Sequence, residues 1–258
     1  PVSHATKLPI LSKEDPPAAI LVNASGNGAH LFVCEHASAA IPSSLGDLGL
    51  DADDRLSHAV WDIGAKDLAL ELSRRFDARL VLGGISRLVY DCNRPPERED
   101  ATPAKTEEVV VPGNRSISAE ERAARVEEVY DTFHNVLDQE IGAFMNAPVL
   151  VTVHSFSPRW HGVPRPTEIG LLHDEDDTLA VAMHASKNGE FRIELNMPYS
   201  AADGVTHLLA RHAVARNLRN VMIEVRNDLL GTPDQIRRVA DALETMLVAA
   251  LSYEVVAT

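Results

Sequence analysis

Three apolar segments of the chain end in ionisable side chains: LFVCEH at His36, LVTVH at His154 and VMIEVR around Glu224. Continuous apolar runs of this length are what strands buried on both faces require. In open α/β sheets, ligands bind beyond the carboxyl ends of the strands, so two imidazoles and a carboxylate delivered to that edge can share one site. Any one of them could merely mark where its strand leaves the core; all three together point to chemistry. Two neutral imidazoles and a carboxylate make a catalytic zinc set with one position left open. A second carboxylate off the metal would take a proton from water. The pattern therefore assigns His36 and His154 as ligands of one zinc ion and Glu224 as general base. Asp62 is the expected third ligand because it opens the helix after the strand and loop, where a helix dipole also favours a carboxylate. Glu35 is the alternative, and would need the chain to turn, since adjacent strand residues face opposite ways.

A second group is cationic. Arg87, Asn93 and Arg94 lie in SRLVYDCNRPP and Arg165 in GVPRP. Arginine binds carboxylates bidentately, and Pro95 and Pro96 stiffen the backbone beside Asn93 and Arg94. In an acidic protein, this group implies a small anionic substrate, with Asp91 expected to orient one of the arginines.

The elements that must position these residues follow from periodicity. Residues 1–28, rich in Pro, Ser, Gly and Asn, are an expected arm with one short strand at AAILVNA. Residues 29–258 are expected to form one domain. Apolar spacing predicts helices over 59–76, 176–189, 206–217 and 233–251, and Ser118 opens a capping box for a helix reaching about 145. HLFVCEHA, PVLVTVH, FRIELN and NVMIEV are expected strands, RLVLGGI and RLVYDCN strands or strand edges, and 155–173 a loop over the site. Strands alternating with helices imply an α/β domain with an open, mostly parallel sheet and helices on both faces.

The whole chain narrows the function. Its 258 residues carry a formal charge of −14, which repels nucleic acid and anionic membrane. No apolar run approaches the roughly 20 residues that span a bilayer, and the first residues lack the order of a signal peptide. Its 2 cysteines, Cys34 and Cys92, sit in apolar runs and are expected as buried free thiols, so a reducing cytoplasm is the expected location.

CEHASAAIP, WDIGAKDLA, SRLVYDCNRPPE, VTVHSFSP, LNMPYS and IEVRNDL together resemble the successive motifs of the N-formylglutamate amidohydrolase family, from about Leu31 to the last helix. The resemblance implies a three-layer α/β/α fold like that of zinc carboxypeptidases, with a mixed, mostly parallel sheet. It also implies release of formate and L-glutamate from N-formyl-L-glutamate, a late step of histidine breakdown. Carboxypeptidases carry similar segments at His154-Ser155-Phe156-Ser157, at Asn93-Arg94 and at Glu224 with Arg226. Their first ligand begins a His-x-x-Glu motif; here that spacing gives Ala39, and Asp62 opens the next helix instead. Met197 stands where the family often has Glu, leaving Asn196 and Tyr199 as the polar groups of that segment that could face substrate. His161 is held in reserve as a fourth ligand or substrate donor, and the other histidines, His58 among them, are expected at the surface or in caps. The competing readings are a zinc carboxypeptidase or peptidoglycan-type amidase, and a non-catalytic relative that binds an acidic small molecule.

Overall fold

The structure is a computed structural model and describes residues 9–106 and 109–252. Its centre is a seven-stranded sheet. The strands are β1 (Ala19–Val22), β2 (His30–Cys34), β3 (Arg79–Gly83), β4 (Val149–Phe156), β7 (Ile169–Leu172), β8 (Ile193–Leu195) and β9 (Asn220–Arg226). A separate exposed hairpin supplies β5 (Arg159–Trp160) and β6 (Val163–Pro164). Sheet order is β1-β3-β2-β4-β9-β7-β8. The four inner strands β3, β2, β4 and β9 run parallel, β1 pairs antiparallel with β3, and β7 pairs antiparallel with β9. The architecture is thus α/β with a mixed, mostly parallel sheet. The expected arm contributes β1 to the sheet edge, while its first eight residues lie outside the described ones.

Helices cover both faces. On one lie α1 (Ala65–Arg75), α4 (Thr178–Ala185) and α5 (Pro233–Ser252), packed on Phe32, Leu80, Val151, Val153 and Ile223. On the other, α2 (Ala119–Arg125) continues through a wide π turn at Val126–Asp131 into α3 (Thr132–Gly142), packed on Leu31, Val33, Val81 and Leu150. Alternate residues of β2 thus feed opposite cores, as the twofold side-chain period demands. Leu68 and Leu72 are fully buried, each removing apolar area worth roughly 2 kcal/mol. Among the described residues no helix is long and apolar enough to cross a membrane.

Several local expectations need correction. The helix expected over 59–76 starts only at Ala65, because Gly64 caps it in a left-handed conformation, φ 80°. RLVYDCN forms no strand but a buried loop, which Ser86 ties down by donating to the Val60 carbonyl at 2.8 Å. Ser118 caps α2 by accepting from the Glu121 backbone N–H at 3.1 Å. The helix expected over 206–217 does form, at residues 207–216, but its middle is a π turn and its end a 3-10 turn, closing at Asn217 with φ 52°.

That same loop is anchored from α2. Arg125, fully buried, donates to the Val89 carbonyl at 3.0 Å and to Asn114 Oδ1 at 2.8 Å. Asn114 in turn donates to the carbonyls of Leu88 and Pro103 at 2.8 and 3.0 Å.

Candidate active site

The site is assembled where β2, β4 and β9 end side by side. Parallel register places His154 opposite Glu224, and β2 is the other neighbour of β4. Beyond Cys34 the chain turns, so the consecutive residues Glu35 and His36 both reach the cluster. The loop before α1 is fastened to this edge by the Asp62 N–H, which donates to the His36 carbonyl at 2.9 Å.

His36, Asp62 and His154 converge with one ligand atom each, all within 4.8 Å of one another and all three residues buried. Asp62 Oδ2 lies 2.9 Å from His154 Nδ1 and 3.4 Å from His36 Nδ1. Tetrahedral zinc with bonds near 2.0–2.1 Å sets ligand atoms roughly 3.4 Å apart, so this donor set fits the ion. His36 Nδ1 is buried without a hydrogen-bond partner, as a ligand atom awaiting its cation would be. Glu35 is not in this set; its Oε1 approaches His154 from the other ring nitrogen, Nε2, at 3.1 Å. Of the two candidates for third ligand, the geometry favours Asp62.

Around this centre the contacts are charged. His36 Nε2 bonds Asp91 Oδ1 at 2.7 Å, so Asp91 orients a histidine and not an arginine. Arg87 donates from Nη1 to Asp62 Oδ1 at 2.8 Å. Burial alone would raise the Asp62 carboxyl, but His36, His154 and Arg87 hold it well below the usual carboxylate range. Burial likewise opposes the charge on His154, yet Glu35 and Asp62 push its imidazole well up. Glu224 behaves oppositely: burial raises it to about 7, Asp62 adds to the rise, and His154 and Arg87 only partly offset it. Its Oε2 is buried without a hydrogen bond.

His36, Asp62, Arg87, Asp91, His154 and Glu224 line a pocket of about 350 Å³ together with His58, Arg94, Asp100, Ser157, Trp160 and Tyr199, while Glu35 lies behind its wall. Arg87 and Arg94 are on its walls, but Arg94 is engaged with Asp100 Oδ2 at 3.3 Å and with the carbonyls of Asn93 and Gly204, both at 2.9 Å. Asn93 also lines the pocket, yet its amide donates to the Val205 carbonyl and accepts from the Leu208 N–H at 2.9 Å. It therefore shapes the wall by holding the 205–208 turn.

Two expected substrate contacts are not on the pocket walls. Asn196, at φ 50°, is bonded to His173 through its amide nitrogen at 2.9 Å and accepts from the His173 N–H at 3.1 Å. Arg165 stacks on Trp160, Tyr199 and Phe156, 4.8, 5.0 and 5.4 Å from the ring centroids, and braces the pocket's aromatic side. His161, the reserve ligand, sits at the tip of the β5–β6 hairpin, where His161 and Gly162 take the positive φ angles of a two-residue turn. Tyr199 does face the pocket. Sequence reasoning missed His58, whose Nε2 lies 3.9 Å from Asp62 Oδ1. Its place four residues before Asp62 was the available signal. Asp100 and Trp160 were also missed.

With this geometry established, similarity to known proteins is informative. Residues 28–231 match the family model described as N-formylglutamate amidohydrolase. The crystal structure of gene product Atu2144 from Agrobacterium tumefaciens is 44% identical over 95% of this chain and 99% of that one, with a TM-score of 0.92. N-formylglutamate amidohydrolase from Ralstonia eutropha JMP134 shares the fold at 17% identity, over 91% of this chain and 97% of that one, with a TM-score of 0.65. No curated protein matches the sequence. The strand-end cluster thus lies within the matched residues, and the chain belongs to the N-formylglutamate amidohydrolase family, hydrolases of amide bonds.

Proposed function

We propose that the protein is a single-zinc amidohydrolase that cleaves N-formyl-L-glutamate, or a closely related N-acyl amino acid, to the free acid and amino acid. The observation that carries this reading is the convergence of His36 Nδ1, His154 Nδ1 and an Asp62 oxygen in the lining of a pocket that Glu224 also lines. His36, His154 and Asp62 would hold the ion. When bound, zinc supplies Lewis acidity toward the scissile carbonyl and toward water. Glu224 takes the proton from water and delivers it to the leaving nitrogen; its carboxyl, raised to about 7, is matched to that task at neutral pH. Arg87, held by Asp62 through one nitrogen and 27% exposed at its side chain, faces the developing oxyanion or a substrate carboxylate. The cations of Arg87 and Arg94 on the wall support a small anionic substrate in a chain whose net charge is otherwise −14. The free, buried Cys34 and Cys92 fit a reducing cytoplasm.

Turnover of N-formyl-L-glutamate, N-acetyl-L-glutamate and N-succinyl-L-glutamate by zinc-loaded protein, beside metal analysis of the same preparation, tests the proposal. About one zinc per chain with formate release is expected. A zinc-loaded chain that hydrolyses none of the three, or a chain that takes up no metal, overturns it.

A further inference from the structure

Glu35 is the most deeply enclosed carboxylate at the site. Its side chain is 0% exposed, and neither carboxylate oxygen has a hydrogen-bond partner. A buried carboxylate in that state is costly unless it answers a charge or a donor. The group in front of it is His154 Nε2, 3.1 Å from Oε1 but without the alignment of a hydrogen bond. The opposite ring nitrogen, Nδ1, is the one that faces Asp62 and the metal set. His36 repeats the arrangement, with Nδ1 toward Asp62 and Nε2 bonded to Asp91. Each imidazole thus faces a carboxylate with its outer nitrogen; a ring proton held on that side leaves the inner nitrogen's lone pair for a cation.

Local backbone geometry supports this placement. Gly83, the last residue of β3, passes so close that a Cβ there would lie 2.0 Å from the Glu35 carbonyl oxygen. The missing side chain lets the end of β2 turn tightly enough for Glu35 and His36 both to point inward.

We infer that Glu35 is a positioning residue for His154: its carboxylate accepts the Nε2 proton, fixes the tautomer and aims Nδ1 at the zinc. The inference rests on the zinc reading above and goes beyond it by giving Glu35 a role outside the ligand set. Partners of this kind typically change metal affinity about 10- to 100-fold.

The test compares wild type, Glu35→Gln and Glu35→Leu by zinc affinity from chelator competition and by the imidazole N–H signals of ¹⁵N-histidine-labelled, zinc-loaded protein. Glu35→Gln should weaken zinc binding about 10-fold and Glu35→Leu up to about 100-fold. The His154 Nε2–H signal should move in both variants while that of His36, held by Asp91, stays. A purely structural Glu35 would shift neither signal selectively. If Glu35→Leu does not fold, the near-isosteric Glu35→Gln decides alone. Wild-type zinc affinity in the variants, or an unmoved His154 signal, overturns the inference and leaves the zinc reading standing. A wild-type chain that binds no zinc overturns both.

Discussion

Replacing Glu224 by Gln should move activity and stability in opposite directions. Glu224 is 5% exposed as a residue, sits opposite His154 across β4 and β9, and leaves its Oε2 buried without a partner. Burial raises it from 4.5 to about 7, a difference worth about 3 kcal/mol between its two protonation states. The sign follows from linkage. Below about 4.5 native and unfolded chains both hold the proton; between 4.5 and about 7 only the native chain does. As pH rises through about 7, the native state must ionise a desolvated group, and stability present at low pH is lost. Glutamine carries no such charge, so the metal-free Glu224→Gln protein should match wild type at pH 4 and exceed it by up to about 3 kcal/mol at pH 8. Yet glutamine cannot accept a proton from water, so kcat should fall roughly 100- to 10,000-fold, or about 3–5 kcal/mol of barrier. Zinc content should stay near wild type. The contrary reading, in which Glu224 only closes a salt bridge, predicts an intact kcat and lower stability. Arg226 and Arg94, the cations such a bridge would use, are engaged with Asp228 and Asp100. Urea unfolding of metal-free protein at pH 4 and 8, with kcat and zinc stoichiometry from the same preparation, decides the matter. A fully metallated variant with near-normal kcat would refute the reasoning.

Arg87→Lys should lower kcat/KM about 10- to 100-fold, because a point charge cannot hold Asp62 and substrate as a guanidinium fork does; unchanged steady-state kinetics would remove Arg87 from the site. Burial lowers His30 from 6.5 to about 4, so the native state resists protonation and the protein should lose about 3 kcal/mol from this residue as pH falls through that window. His30→Leu should flatten that part of the pH–stability curve, read by urea titrations from pH 7 to 4; a curve as steep as wild type rejects it. Gly83→Ala should drive a Cβ into the Glu35 carbonyl and lower both melting temperature and zinc affinity, since the backbone that must yield carries His36. An alanine variant with wild-type values for both would show that the strand ends adjust freely.

The parallel centre of the fold was legible because strands covered on both faces need unbroken apolar runs, as β2, β4 and β9 have. The gathering of His36, His154 and Glu224 at one edge was legible for the same reason: a strand end fixes where His154 and Glu224 emerge, and the edge rule brings them together. Loop side chains were not, because spacing does not fix direction where the backbone is irregular. Asn196 takes a left-handed conformation and bonds His173, and Arg165 finds aromatic faces instead of the pocket. Asp91 was read beside its arginine neighbours, but the turn at residues 91–94 aims it at His36, 55 residues away. Helix starts failed where one glycine, Gly64, overrode a continuous apolar pattern.

The anchoring of the Arg87 loop by Arg125 and Asn114 bears on how the protein can be re-engineered. Side chains from the last residue of α2 and from the turn before that helix satisfy the carbonyls of Leu88, Val89 and Pro103. The segment that presents Arg87, Asp91 and Arg94 therefore travels with that helix as a single cassette. Transplanting the loop alone onto a relative's scaffold would strand those carbonyls in the interior, whereas moving residues 84–125 as a block would keep each acceptor with its donor. Directed exchange of substrate preference in this fold should cut at the ends of that block.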